Sequence, residues 1–228
     1  YRLAPSVTAA SLVLAVLLVP VAARAPNLGV GRDVLALLGV LALARFAVAA
    51  ASWDVASGFA LMGASRDLTI AIFTDVTFIL AVAVAALVAH TTNLVAIVAG
   101  TAGTAVWSNP ALGLAAVAFA LVIVAETGRQ PIDNPDTHLE LTMIHEGPLL
   151  EYAGRDLAFL QWSAAARHWI MLVLAAEVFL PHPSSVWWQL AVLPFALAVL
   201  CAGLALLETI TAKMRILLAP RLLAVGAA

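Results

Sequence analysis

Apolar residues fill this chain in long runs, and short polar stretches separate one run from the next. A helix that crosses the apolar core of a bilayer needs about 20 such residues in succession. The sequence therefore predicts an all-α, polytopic transmembrane helix bundle with about six spans, which we treat as a single integral membrane domain over residues 1–228. The predicted spans lie near Pro5–Ala23, Val34–Ala51, Leu68–His90, Pro110–Glu126, Leu157–Leu180 and Trp187–Thr211.

Two of the intervening stretches need separate treatment. Asn93–Val106 is apolar but short and rich in Gly and Thr, which favours an interfacial or re-entrant piece over a seventh span. Ala51–Asp67 is more polar and is predicted to be a connection between the second and third spans.

The longest polar stretch, residues 127–156, separates the fourth and fifth spans. Inside it, Asn134-Pro135-Asp136 is a helix start, because it combines a capping side chain, a proline at the first helical position and an acid near the positive end of the dipole. We predict a short helix from Pro135 to about Glu146, ended by Gly147-Pro148. The stretch is thus predicted to be an ordered, re-entrant acidic loop.

Positive charge is distributed unequally between the two sides that six crossings define. The side with more Arg and Lys is expected to face the cytoplasm, so the acidic loop is predicted to be cytoplasmic and the chain to be a multi-pass protein of the cell inner membrane. That side carries Arg2, Arg66, Arg129, Arg155, Lys213, Arg215 and Arg221, against Arg24 and Arg32 on the other.

Composition narrows the class of function. Hydrophobic residues make up 64% of the chain, mean hydropathy is +1.07 and the net charge is −2, which argues against a nucleic-acid partner. The single cysteine, Cys201, rules out an internal disulfide and a cysteine-ligated cluster, so any redox cofactor is expected in another chain. The chain opens at Tyr1 without an initiator Met, and we expect it to be a fragment of a longer subunit.

Four ionisable residues lie within or near the ends of the predicted spans: Arg45, Asp75, Arg167 and Glu177. Each costs several kcal/mol if it faces lipid, so each should point into the bundle. Two interpretations stay open at this point. One is a structural ion pair, such as Asp75 with Arg45 or Arg167. The other is a proton path of carboxylates that raise one another's pKa, formed by Asp75, Glu126, Glu140, Glu146, Glu151, Glu177 and Glu208.

The histidines of the loop do not match a metal motif. His138 with Glu140 and His145 with Glu146 offer ligand atoms, but their spacing fits no specific site, and such pairs are more often hydrogen-bonded surface pairs. We predict no protein-bound metal in this chain.

Three motifs resemble the membrane subunit that complex I shares with group 4 [NiFe] hydrogenases. They are ETGRQPID at Glu126–Asp133, THLELTMIHE at Thr137–Glu146 and LLEYAGRD at Leu149–Asp156; Ala51–Asp67 resembles that family's second cytoplasmic loop. Gly128, where complex I typically has Asn, and the block around His145 are more like the hydrogenase branch, as in formate hydrogenlyase.

The resemblance implies a membrane anchor without redox groups of its own. Its partners would be the hydrogenase large and small subunits, an iron–sulfur subunit and antiporter-like membrane subunits, and the [NiFe] centre and iron–sulfur clusters would lie in those partners. Carried onto this sequence, Glu126, Asp133, Glu140, Glu146 and Glu151 become proton-path candidates with Arg129 and Arg155 as counter-charges, while Asp54, Arg66 and Asp67 become docking or path residues.

Four functions remain under consideration. The first is an anchor and coupling subunit of a membrane-bound [NiFe] hydrogenase that links electron transfer to proton or sodium translocation. The second is a complex I-type subunit that lines a quinone cavity. A stand-alone ion transporter is the third, although no inverted repeat supports it. A purely structural anchor, whose acids meet basic residues of a partner, is the fourth.

Overall fold

The computed structural model describes residues 1–21, 32–101, 109–133, 144–181, 183, 185–211 and 219–227, with the side chains of residues 186 and 220 left out. Helices hold most of these residues, and no β-strand occurs among them. The α-helices are α1 (Ala4–Leu18), α2 (Val34–Val55), α3 (Gly58–Ala89), α4 (Leu94–Thr101), α5 (Pro110–Glu126), α6 (Gly154–Phe179), α7 (Val186–Ile210) and α8 (Ala219–Ala227), with a 3₁₀ helix at Gly147–Glu151 between α5 and α6.

Four of the described helices are long and apolar enough to cross a membrane: α2, α3, α6 and α7 from Trp187. Helices α1 and α5 are apolar but shorter, at 15 and 17 residues. The chain is therefore a multi-pass, all-α membrane protein, as predicted. The number of six crossings and the re-entrant character of the acidic loop stay predictions.

The predicted connection over Ala51–Asp67 is wrong. Helix α2 continues to Val55 and α3 begins at Gly58, so only Ala56 and Ser57 join them, with Ala56 in the left-handed region at φ 56°. The polar residues of this stretch extend the helices beyond their apolar parts, because a change in hydropathy does not itself end a helix. Helix α3, 32 residues long, is about 48 Å in length and exceeds the roughly 30 Å apolar core of a bilayer.

The predicted helix Pro135–Glu146 falls largely on residues 134–143, which lie outside the described part of the chain. Its last residues, 144–146, are not helical. The 3₁₀ helix follows from Gly147, where the sequence predicted an end to helical structure.

Helix α4 has eight residues, about 12 Å, too few to cross a bilayer by themselves. Its C-terminal part returns to α3, since a Cβ placed on Gly100 would lie 3.0 Å from the Cβ of Ala89. The described part of 93–106 thus agrees with a segment that begins and ends beside the same end of α3.

Helices α3 and α5 run antiparallel. Asp75 and Glu126 both reach Arg45 of α2, and Phe78 packs on Phe119 with ring centroids 5.4 Å apart. Phe119 also packs on Phe179 of α6 at 5.3 Å, so three aromatic rings occupy the centre of the bundle. One end of the bundle therefore gathers the C-terminus of α5 with the polar ends of α2 and α3, and we call it the charged end.

Candidate functional site

Arg45 is the centre of the charged end. It lies in α2 and is 7% exposed. One guanidinium nitrogen, Nη1, donates to both carboxylate oxygens of Asp75 at 3.0 Å, and Nη2 donates to Oε1 of Glu126 at 2.6 Å. Its Nε lies 3.9 Å from Oδ2 of Asp67. One buried cation thus joins three carboxylates from α3 and α5.

Glu126 is the last residue of α5 and is 7% exposed. A second cation reaches it, since Nη1 of Arg167 in α6 donates to Oε1 at 3.0 Å. A carboxylate with so little access to water is stable only when it is paired and hydrogen-bonded. The Glu126 carboxylate therefore ties α5 to α2 and α6, and it fixes where the three helices approach one another.

His145 joins the acidic loop to α3. Its Nδ1 lies 3.3 Å from Oδ2 of Asp133, and its Nε2 lies 3.5 Å from Oδ1 of Asp67. The backbone N–H of His145 also donates to Oδ2 of Asp133 at 3.3 Å. Burial by itself would lower the pKa of His145, but the hydrogen bond to Asp133 and the charges of Asp67, Asp133 and Glu126 outweigh it, so the pKa is raised above 6.5.

Two glycines let the loop approach this closely. Gly128 has φ +63°, and a Cβ there would lie 2.9 Å from Nδ1 of His145. Gly63 in α3 meets the 3₁₀ helix directly, because a Cβ at Gly63 would lie 2.7 Å from Cδ of Pro148 and 3.0 Å from Cα of Gly147. Only glycine combines this space with the left-handed backbone that residue 128 adopts.

A cavity of about 150 Å³ opens beside these side chains. Apolar residues, among them Val48, Leu149 and Leu160, form part of its wall. This volume is large enough for several water molecules, each of which needs roughly 10–15 Å³ of space for its centre. Its polar lining includes Thr8, Arg45, Asp67, Glu126, His145, Ser163 and Arg167.

The predicted counter-charges divide into two groups. Arg45 and Arg167 lie in the cluster, and the open alternative of an Asp75–Arg45 ion pair is confirmed. Arg129 instead donates to Glu208 of α7 at 3.2 Å, and Arg155 is 84% exposed with its Nε 3.8 Å from Asp156. The structure thus gives Arg129 a carboxylate outside the loop and leaves Arg155 at the surface.

The remaining predicted residues lie at different depths. Asp133 is buried and Asp75 is half-buried, whereas Asp54 at the end of α2 is exposed. Arg66, Glu146 and Glu151 are partly exposed, and none of them is among the side chains that line the cavity. Glu140 and His138 lie outside the described residues. Their roles as path or docking residues stay predictions.

Sequence reasoning missed the position of His145, which it treated as a surface or metal-ligand candidate, and it assigned Asp67 to docking. The signal available was weak: His145 is a single imidazole within an acidic motif, and its partners at Asp67 and Asp133 are 78 and 12 residues away. Among the described residues, no group of three or more His, Cys, Asp and Glu side chains is arranged to hold a metal ion.

Comparison with known proteins gives consistent matches along the whole chain. The profile of a family described as NADH dehydrogenase matches residues 1–225. Hydrogenase-4 component C of Escherichia coli (strain K12) is 34% identical over 87% of this chain and 62% of its own length. Formate hydrogenlyase subunit 4 of the same organism is 30% identical over 97% of this chain and 74% of its own.

A membrane component of the NADH-quinone oxidoreductase of Geobacillus thermodenitrificans (strain NG80-2) is 31% identical over 83% of this chain and 59% of that protein. The chain thus spans about three fifths to three quarters of the curated relatives it matches. A chain in the structure of the membrane-bound sulfane sulfur reductase (MBS), an archaeal respiratory membrane complex, superposes with a TM-score of 0.81 at 22% identity. The match covers 100% of this chain and 78% of that one, and it shows the same fold.

Proposed function

This chain belongs to the NADH dehydrogenase family, and from that membership we propose that it is the membrane anchor and coupling subunit of a membrane-bound [NiFe] hydrogenase complex. Of the relatives above, the two most extensive matches over this chain are a hydrogenase component and a formate hydrogenlyase subunit. The large and small hydrogenase subunits, the iron–sulfur subunit and antiporter-like subunits are its proposed partners. The redox groups belong to those partners.

The observation that carries the coupling role is the buried ionic cluster at the charged end. Glu126, Arg45 and Arg167 line a cavity whose volume suits several waters, and Asp67 and His145 line it as well. Titratable groups connected by water are the elements of a proton path. Asp133 and Asp75 adjoin the same network, and Glu140, Glu146 and Glu151 are proposed to extend it through the loop.

The docking role rests on exposed charge at the same end of the bundle. Asp54 and Arg155 are exposed, and Arg66 is partly exposed in the polar extension of α3. Charged side chains at a rim steer a partner and set its register more than they add affinity. Residues 127–156, with the start of α3, are the proposed cytoplasmic surface for the peripheral arm.

A second candidate is a complex I-type quinone-site subunit. The feature in its favour is the same cavity, because Val48, Leu149 and Leu160 give it an apolar wall beside two arginines. Pockets that combine apolar walls with a few placed polar groups suit small amphipathic ligands.

Purification of the tagged full-length subunit in mild detergent tests the proposal. Partner subunits are identified by mass spectrometry, and the preparation is assayed for viologen-linked hydrogenase activity. Nickel and iron–sulfur subunits with hydrogen activity are the expected result. A nickel-free set with quinone reductase activity would favour the second candidate, and a subunit that purifies alone would contradict both.

A further inference from the structure

The two ring nitrogens of His145 face carboxylates on two different elements. Nδ1 faces Asp133 in the loop at 3.3 Å, and Nε2 faces Asp67 in α3 at 3.5 Å. An imidazole is the side chain that can take a proton at one nitrogen and release one from the other near neutral pH. Its placement between two acids gives the loop and α3 a single titratable connection.

The charge around His145 favours a bound proton. The groups that face it are Asp67 of α3, Asp133 of the loop and Glu126 of α5, and Arg45 of α2 and Arg167 of α6 line the same cavity. With Asp75, the cluster holds four carboxylates and two guanidinium groups. It is therefore two charges negative with a neutral imidazole and one charge negative with an imidazolium.

Gly128 creates the place that the imidazole occupies. Its backbone has φ +63°, and an added Cβ would lie 2.9 Å from Nδ1 and 3.2 Å from Cγ of the ring. Any other residue at 128 would push the ring away from Asp133. Gly128 and His145 thus form one steric unit, although 17 positions separate them in the sequence.

We propose that His145, seated against Gly128, is the proton-relay residue between the acidic loop and the Arg45–Glu126 cluster. A protonated Asp133 transfers its proton to Nδ1, which breaks the O–H bond and forms an imidazolium. The proton on Nε2 then passes to the carboxylate of Asp67, and a flip of the ring returns the remaining hydrogen to its starting side. The inference rests on the proposed coupling function and names a group that the family motifs did not assign.

A purely structural role makes a different prediction about pH. Because the pKa of His145 is raised above 6.5, its ion pairs stabilise the folded protein fully below about 6.5, the value for an unperturbed histidine, and are lost as pH rises through the folded-state value. A structural pair would change stability over that window but would leave the rate of proton transfer unaffected while the complex stays assembled. A relay changes the rate itself.

The experiment uses inverted membrane vesicles that carry the whole complex, with proton uptake followed by quenching of a ΔpH-sensitive dye during hydrogenase turnover. The variants are His145→Gln, which keeps hydrogen-bonding atoms but cannot titrate, and Gly128→Ala, which displaces the ring. His90→Asn is the matched control, because His90 is exposed at the other end of α3 with φ 53°, a conformation that Asn tolerates. Co-purification of partner subunits measures assembly in each case.

We expect His145→Gln and Gly128→Ala to assemble but to lose at least about tenfold in coupled proton uptake, since positioned proton-transfer groups contribute factors of about 10²–10⁴. The wild type should lose rate as pH rises above 6.5, and His145→Gln should lack that dependence. His90→Asn should match the wild type. If His145→Gln fails to assemble, His145→Ala with millimolar imidazole should regain uptake, because the added base can enter the adjoining cavity.

Three results would overturn the relay in distinguishable ways. An assembled His145→Gln complex with wild-type uptake and pH profile would refute the relay and leave the proposed function standing. Absence of proton uptake in the wild type would refute the coupling function and the relay together. A pH-dependent infrared difference spectrum, wild type minus His145→Gln, that shows no imidazole titration between pH 6 and 9 (roughly the range of a raised histidine pKa) would also refute the relay.

Discussion

Helices α5 and α7 are both almost entirely apolar, yet their surroundings are opposite. Helix α5 buries residues along most of its length and packs against α3, α6 and α8. Helix α7 exposes large apolar side chains along its length, among them Trp187, Phe195 and Leu206, and its spanning window buries none of its residues. Apolarity therefore predicts which segments enter a bilayer, but not which of them the protein itself surrounds.

The ionisable residues explain the difference. Helix α5 ends at Glu126, whose buried carboxylate needs the guanidinium groups of Arg45 and Arg167. Helix α7 carries its acid, Glu208, at a more exposed position, where it pairs with Arg129. A charge that must be neutralised by neighbouring helices holds its own helix in the centre of the bundle, because leaving that charge unpaired is so unfavourable.

Replacing Arg45 by Ala should give the largest effect. It leaves Asp75 without its bidentate partner and Glu126 with one guanidinium instead of two, and breaking a buried pair costs about 3–5 kcal/mol. Thermal unfolding in detergent and recovery of the assembled complex are the measurements. Arg155→Ala, at an 84% exposed position, is the matched control and should stay within about 0.5 kcal/mol.

The double variant Arg45→Met, Glu126→Gln sharpens that prediction. It removes both charges of the buried pair, so it should be more stable than Arg45→Ala alone. A double variant less stable than the single one would mean that the two residues do not act as a pair.

The same substitution in the two helices tests the comparison directly. Phe119 is 1% exposed and packs on two aromatic rings, so Phe119→Ala should destabilise by about 3–5 kcal/mol. Phe195 in α7 is 71% exposed, and Phe195→Ala should change the stability of the isolated subunit by less than about 0.5 kcal/mol. Equal losses at the two positions would show that α7 is as enclosed as α5.

A smaller effect is expected where the loop meets α3. Gly63→Ala places a Cβ 2.7 Å from Pro148 and 3.0 Å from Gly147, and overpacking of this kind costs about 1–3 kcal/mol. Gly39→Ala in α2 is the control, since nothing lies within 4 Å of its added Cβ. That control should be neutral or stabilise by up to about 1 kcal/mol through helix propensity. Proteolysis of the loop and unfolding temperature report the two outcomes.

Glu208→Gln should give the smallest effect. Its partner Arg129 has a 38% exposed side chain, and ion pairs with such access to water contribute about 0–1 kcal/mol. The loss should shrink further at high salt, because screening weakens exposed pairs. A loss of several kcal/mol would mean that Arg129 and Glu208 hold α7 to the charged end more strongly than their exposure indicates.

Much of the architecture followed from the sequence. The all-α membrane class and the family resemblance read from the motifs at 126–156 are confirmed. The errors were local: the ends of α2 and α3 lie beyond their apolar runs, and the 3₁₀ helix at Gly147–Glu151 was not predicted. Hydropathy marks where a helix enters lipid, whereas the backbone hydrogen bonds that end a helix respond to caps and turns.

The sequence by itself determined that buried charges must be paired, because it placed Arg45, Asp75 and Arg167 within apolar runs and gave each a strong reason to avoid lipid. Only the tertiary structure decided the partners. Glu126 rather than a loop acid meets both arginines, Asp67 turns inward, and His145 reaches Asp67 and Asp133 at once. These choices depend on contacts between residues up to 81 positions apart, which local sequence patterns do not encode.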